Sequence, residues 1–186
     1  DLISYDVEKA QEYLEKAKAE LGVSSFEFDM VVDDDAQPQQ VAAYLQQQIE
    51  SALPDVKINI TIKPKKQRVL DLQNGDFELG LTRWGPDYAD PTTYLNMWVT
   101  GNNNNYGMWS NTEYDALIKD AAVGESSKDA QKRWDVLHQA ESIAVHDMVI
   151  IPLYEKSNAT MVKSYVSGIE NHSVALNRVY KNAVVE

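Results

Sequence analysis

Apolar residues at Ala10, Tyr13, Leu14, Ala17 and Leu21 recur at helical spacing and predict a first helix with an inward stripe. Asp6 stands where an N-cap belongs, and Gly22 stands where a left-handed C-cap would stop the run. Phe26, Phe28, Met30 and Val32 alternate with polar neighbours and predict a strand, with Asp33-Asp34-Asp35 as a solvated turn at its end. A second helix is expected over residues 37–52, with Val41, Tyr44, Leu45, Ile49 and Leu53 on one face and Pro54 as its stop. Strict alternation at Val56, Ile58, Ile60 and Ile62 predicts a half-buried strand. A short helix over 65–73, closed by Asn74-Gly75, leads to a strand over 77–84. Strand, helix, strand, helix, strand in this order implies mainly parallel pairing, because parallel neighbours need a crossover.

The second half reads differently. Asp90-Pro91 suits the start of a short helix, with the carboxylate capping and the proline in the first turn. The run Asn102-Asn103-Asn104-Asn105 predicts a loop that uses left-handed backbone geometry. Asn111 caps a helix ending at Gly124, and a longer helix over 127–147 turns Ala130, Trp134, Leu137, Ala140, Ile143 and Ala144 inward. Residues 149–154 predict a buried strand and residues 160–163 a more polar one. Residues 1–168 are expected to form one α/β lobe, a mainly parallel sheet flanked by helices, and the tail over 169–186 alternates poorly and is expected to return toward another lobe.

The chain has 186 residues, enough for a real core, and no run of eighteen apolar residues. A formal charge of −12 argues against nucleic acid, whose phosphates require a basic surface. With no cysteine there is no thiol chemistry, disulfide or Cys-ligated zinc. No cofactor is expected. The opening at Asp1-Leu2-Ile3 reads as a piece of something longer.

Candidate chemistry concentrates in Arg83-Trp84-Gly85-Pro86-Asp87-Tyr88-Ala89-Asp90-Pro91. A flat aromatic face, a rigid turn and a carboxylate at a strand's carboxyl end are poor packing material, and that end of an open α/β sheet is where ligands sit. The arrangement suits a cationic, extended ligand. Asp87 and Asp90 would be the pair for hydrolytic catalysis, but no nucleophile or partner base accompanies them. His138 and His146 lie two turns apart, roughly 12 Å by helical rise, too far to chelate one metal ion. Trp98, Trp109 and Trp134 are read as core rather than as stacking platforms.

Four stretches together resemble the carboxy-terminal lobe of the extracytoplasmic oligopeptide-binding proteins of ABC transporters, the family 5 solute-binding proteins. They are Tyr5-Asp6-Val7-Glu8-Lys9-Ala10; Gly75-Asp76-Phe77-Glu78-Leu79 leading into Trp84-Gly85-Pro86-Asp87-Tyr88 and Asp90-Pro91; Trp109 to Asp115; and Arg133-Trp134 with His138-Gln139-Ala140-Glu141 and Ile150 to Tyr154. The resemblance implies one lobe of a type II periplasmic-binding-protein clamshell, non-enzymatic, that holds an extended peptide as an added β-strand. It implies that the backbone at Arg83 and Gly85 bonds the peptide main chain, that Asp87 pairs with its α-ammonium and that Trp84 covers a side-chain pocket. Lys156 and Asn158 are expected to reach the cleft, and Asp90 to cap its helix rather than bind. Leu72 and Leu81 stand where some members carry arginines for the ligand's carboxylate. The partners implied are a peptide and a membrane permease, the state a monomer, and the location extracytoplasmic, in the periplasm or as a surface lipoprotein. A dipeptide, a nickel chelate or an oligosaccharide as ligand, and a peptide-sensing receptor without transport, are the rival readings.

Overall fold

A computed structural model describes residues 2–186. The chain divides into two compact units, one running to Arg83 and including Tyr106–Met108, the other holding Trp84–Asn105 and the remainder from Trp109.

The first unit is built as β-strands alternating with helices. It contains α1 (Val7–Leu21), β1 (Phe26–Asp33), α2 (Ala36–Ala52), β2 (Val56–Lys63), α3 (Lys65–Asn74) and β3 (Leu79–Gly80). Asp6 accepts the Lys9 N–H at 2.9 Å as the N-cap of α1. Gly22 and Gly75 end α1 and α3 with φ of 67° and 76°, values that disfavour any residue with a Cβ. The strands run in the order β2-β1-β3, all parallel, and the long ladder pairs Phe26 with Val56 through Asp33 with Lys63. Met30, Val32, Ala42, Val56 and Ile58 form the core, with Leu14 of α1 and Leu45, Ile49 and Leu53 of α2 packed on it. Burial of every residue from Met30 to Asp33 means that both faces of the sheet are covered there.

Three expectations fail in this unit. Tyr13, Leu21 and Tyr44 are exposed although they extend the apolar stripes of their helices, because the sheet is narrow and covers only part of each stripe. The strand expected over 77–84 forms a ladder only at Leu79–Gly80, with one further bond from the Leu81 N–H to the Val31 carbonyl at 3.0 Å. Asp33 is buried rather than solvated, since Arg68 reaches it with Nε 2.6 Å from Oδ1.

The second unit takes its regular structure mainly from helices. It contains α4 (Thr92–Leu95), α5 (Thr112–Val123) and α6 (Ala130–His146), with Asn111 and Asp129 as side-chain N-caps of the longer two. Ala121, Ala140 and Ala144 are fully or almost fully buried, so α5 and α6 approach closely around Ile118 and Leu137. Tyr114 is wholly buried at the centre, and its hydroxyl donates to the Leu95 carbonyl at 2.5 Å. Burial pushes that phenol well above its ordinary pKa.

Asn105 is also buried. It donates to the carbonyls of Trp98, Val99 and Trp109 and accepts the Trp109 N–H. The asparagine run therefore serves as a hydrogen-bonded plug, and positive φ falls at Gly101 and Met108 instead of on its asparagines. Ala130 and Trp134 point outward from α6, Trp134 being 54% exposed, so the inward stripe begins only at Leu137.

Residues 149–154 and 160–163 are not strands. They run without a ladder, and Ile151, Leu153, Tyr154 and Met161 are exposed, because no strand among the described residues offers its backbone to them. Beyond them are short antiparallel ladders, β4 (Val166–Ser167) with β7 (Val184–Val185) and β5 (Glu170–Asn171) with β6 (Arg178–Val179).

Tyr114→Phe is expected to lower stability by about 1 kcal/mol, since it strips the Leu95 carbonyl of a buried donor. Urea unfolding should show a lower midpoint with an unchanged slope, and an unchanged midpoint would contradict the role given to this bond.

Candidate functional site

After the last ladder bond at Leu81, the main chain from Thr82 to Gly85 makes no backbone hydrogen bond among the described residues. Main chain that leaves a sheet with its hydrogen-bonding groups unpaired is a template for another extended chain. The Arg83 side chain turns to the β1–α2 connection. It lies 3.3 Å from Gln37 Oε1, 3.5 Å from Asp35 Oδ2 and 3.6 Å from Asp33 Oδ2. Its guanidinium is thus engaged within the first unit, and its backbone groups are what it has left to offer.

Trp84 begins the second unit and is 40% exposed, so it fills no core. At Gly85 an added Cβ would meet nothing within 4 Å, so packing within this chain does not require a glycine there. Asp87 is exposed, and its carboxylate has no hydrogen-bond or ion-pair partner among the described residues. Its backbone is held, with the N–H donating to Thr93 Oγ1 at 3.0 Å. A held backbone carrying an unpaired carboxylate, three residues along the chain from an exposed indole, is a cation-accepting arrangement.

Asp90 caps, as its sequence context implies, and does more. Oδ1 accepts the Thr92 N–H at 3.0 Å and the Thr92 hydroxyl at 2.6 Å. Arg133 of α6 grips the same carboxylate with both terminal nitrogens, Nη1 to Oδ2 at 2.8 Å and Nη2 to Oδ1 at 2.9 Å. The guanidinium, followed by the Thr92 bonds, holds the Asp90 carboxyl far below the usual carboxylate range despite partial burial. Arg133 is correspondingly stabilised in its charged form, chiefly by Asp90.

Lys156 and Asn158 lie on the exposed extended segment of the second unit. Asn158 lines an open polar cavity of about 400 Å³ with Ala159, Asn177, Arg178 and Tyr180, whereas Lys156 is not among the residues that line it. The turn between β5 and β6 reaches the candidate loop, where the Ala175 N–H donates to the Pro86 carbonyl at 3.2 Å. No group of three or more His, Asp and Glu side chains suited to a metal ion occurs among the described residues. Thr92, Thr93 and Arg133 were not anticipated as supports of the loop. Arg133 lies 43 positions from Asp90, and no local spacing announces the pair.

A family profile for bacterial extracellular solute-binding proteins, family 5 (middle region), matches residues 1–106. The chain belongs to that family. A dipeptide-binding protein of Lactococcus lactis is 32% identical over 184 residues, covering 98% of this chain and 34% of the relative. The substrate-binding domain of an oligopeptide ABC transporter from Bacillus anthracis superposes with a TM-score of 0.87 at 34% identity, covering 98% of this chain and 35% of that one. A Listeria monocytogenes oligopeptide-binding protein bound to peptide gives a TM-score of 0.83 at 31% identity, covering 97% and 34%. The chain therefore spans about a third of the length of each of these three proteins. The fold is that of the type II periplasmic binding proteins, α/β with a parallel sheet and helices. Family 5 is a family of solute-binding proteins.

The ion pair generates a pH prediction. A carboxyl whose folded pKa is depressed contributes stability above its unfolded pKa and loses it as pH falls toward the folded value. Asp90→Asn should therefore lower the urea midpoint at pH 7, and its deficit relative to the unsubstituted protein should shrink progressively below about pH 4. A deficit of equal size at pH 7 and pH 2.5 would mean that charge is not what Asp90 contributes.

Proposed function

We propose that this chain forms part of an extracytoplasmic, non-enzymatic receptor that captures peptides in extended form and delivers them to the membrane permease of an ABC importer. The observation that carries the reading is the Asp87 carboxylate, exposed and unpaired on a loop whose backbone is otherwise tied down. The peptide's α-ammonium is its partner. Such a charge-assisted bond contributes about 1.5–3 kcal/mol and sets where the peptide begins.

The unpaired main chain over Thr82–Gly85 supports main-chain recognition, which tolerates varied side chains. At Gly85 the open space suits close approach by the peptide backbone. Trp84 lies over a ligand side chain, and Lys156 and Asn158 contribute from the extended segment. The relatives' names include both dipeptide-binding and oligopeptide-binding proteins, and the free α-ammonium is common to both ligands. The receptor acts as a monomer, and its two lobes close on the ligand to make the form the permease recognises. The tail over 169–186 belongs with the return to the other lobe.

Native mass spectrometry of the full-length protein, purified without denaturation, should show a ladder of bound masses that fragment as peptides. A single non-peptide mass would overturn the ligand assignment. In calorimetric titrations, acetylating the amino terminus of a bound peptide should weaken binding tenfold or more, and Asp87→Asn should remove most of that difference. Gly85→Ala should leave the thermal midpoint unchanged or slightly raised while weakening peptide binding. Unchanged affinity would remove the backbone approach at Gly85 from the proposal.

A further inference from the structure

Asp87 can discriminate an ammonium only if its carboxylate stays where the ligand's first residue will be. The loop that carries it is short of packing, for Trp84, Gly85, Asp87, Tyr88 and Ala89 are all exposed. Hydrophobic burial does not hold this segment, so its hydrogen bonds must. Those bonds converge. The Asp87 N–H goes to Thr93 Oγ1, the Thr93 N–H goes to the Asp90 carbonyl at 3.1 Å, and the Asp90 N–H goes to the Tyr88 carbonyl at 3.0 Å. The Tyr88 hydroxyl lies 3.2 Å from Thr92 Oγ1, which itself donates to Asp90. Every one of these links runs through the Asp90–Thr93 turn.

Burial of Thr92, Thr93 and Leu95 seats that turn on the helical core, and one side chain of α6 grips its carboxylate. Arg133 spends Nη1 and Nη2 on Asp90, and its Nε donates to the Ala121 carbonyl at 3.0 Å, near the end of α5. One planar guanidinium thereby joins the loop, α5 and α6. Lysine cannot reproduce this. Its ammonium has no fork to match a carboxylate while a third nitrogen bonds a carbonyl in the same plane. The remaining tether, from the Ala175 N–H to the Pro86 carbonyl, holds the peptide group that leads into Asp87 from the side of the β5–β6 turn and makes no bond to the Asp87 carboxylate.

We infer that Arg133 is a positioning residue for amino-terminal recognition: through Asp90 and Thr93 it holds the Asp87 carboxylate where the ligand's α-ammonium arrives. Resting on the peptide-binding reading above, this assigns Arg133 a role in specificity without contact to the ligand. It distinguishes two components of affinity. Main-chain contacts at Thr82–Gly85 do not depend on the fork, whereas the gain from a free amino terminus does.

The test is a set of paired titrations on the full-length protein, with one peptide measured free and N-acetylated. Unsubstituted protein should prefer the free peptide tenfold or more. Arg133→Lys and Arg133→Gln should each reduce that preference to threefold or less, while affinity for the acetylated peptide stays within about twofold. Circular dichroism and a thermal midpoint establish that each variant is folded, and Arg133→Lys, which keeps the charge, stands in if Arg133→Gln does not fold. A folded variant that retains the tenfold preference overturns the inference, as does an equal loss for both peptides, which marks a merely structural arginine. Absence of any preference in the unsubstituted protein overturns the Asp87 assignment itself, and this inference with it. The failure then appears in the parent protein rather than in the variants.

Discussion

A single carboxylate, Asp90, accepts from four donors: two nitrogens of Arg133 and the N–H and hydroxyl of Thr92. An acid in a turn ordinarily caps its own helix and nothing more. Here the cap and the ion pair share one carboxylate and meet on its Oδ1, so the start of α4 and the position of α6 are set together. The pair is only partly exposed, and its bonds are short and forked, the geometry in which an Arg–carboxylate pair carries direction as well as energy. The loop from Trp84 to Ala89 has little apolar burial of its own and depends on this junction.

The opposite condition holds at Asp87 and along Thr82–Gly85, where hydrogen-bonding capacity is left open. A structure that satisfies Asp90 fourfold and leaves the carboxylate at Asp87 unpaired has divided two acids of the same loop into a support and a contact. An exposed carboxylate is solvated at little cost, so leaving it free does not burden the fold, and it is ready to exchange water for an ammonium. Arg83 follows the same division at the end of the first unit. Its side chain is bound inward by Asp33, Asp35 and Gln37, and its backbone faces no ladder.

Much of the secondary structure was legible in the sequence. The caps at Asp6, Asn111 and Gly75 are local chemistry, decided within a turn of the residue concerned, and the structure has them where the sequence puts them. The order of strands and crossovers over residues 26–80 implied parallel pairing, and β2-β1-β3 is parallel. The run at 149–154 misled because an apolar stretch states only that it wants burial. A strand also needs a neighbour's backbone, and the described residues supply none there. Trp134, Tyr13 and Tyr44 misled for a related reason, since periodicity names the apolar face of a helix but not how much of it will be covered.

The sequence by itself determined most of the helix ends, the parallel order of the sheet, the acidic and cysteine-free character of the chain and the gathering of Trp84, Gly85 and Asp87 at the carboxyl end of the third strand. These follow from short-range sterics and from counting. Only the tertiary structure decided that Asp90 belongs to Arg133, that Asp33 is buried against Arg68 and that Asn105 closes its loop from within. The charged pairs join residues dozens of positions apart, and Asn105 looks like its three asparagine neighbours until the loop has folded around it. A charge or an amide in sequence has many possible partners, and its role is set by the one that folding brings within hydrogen-bonding distance.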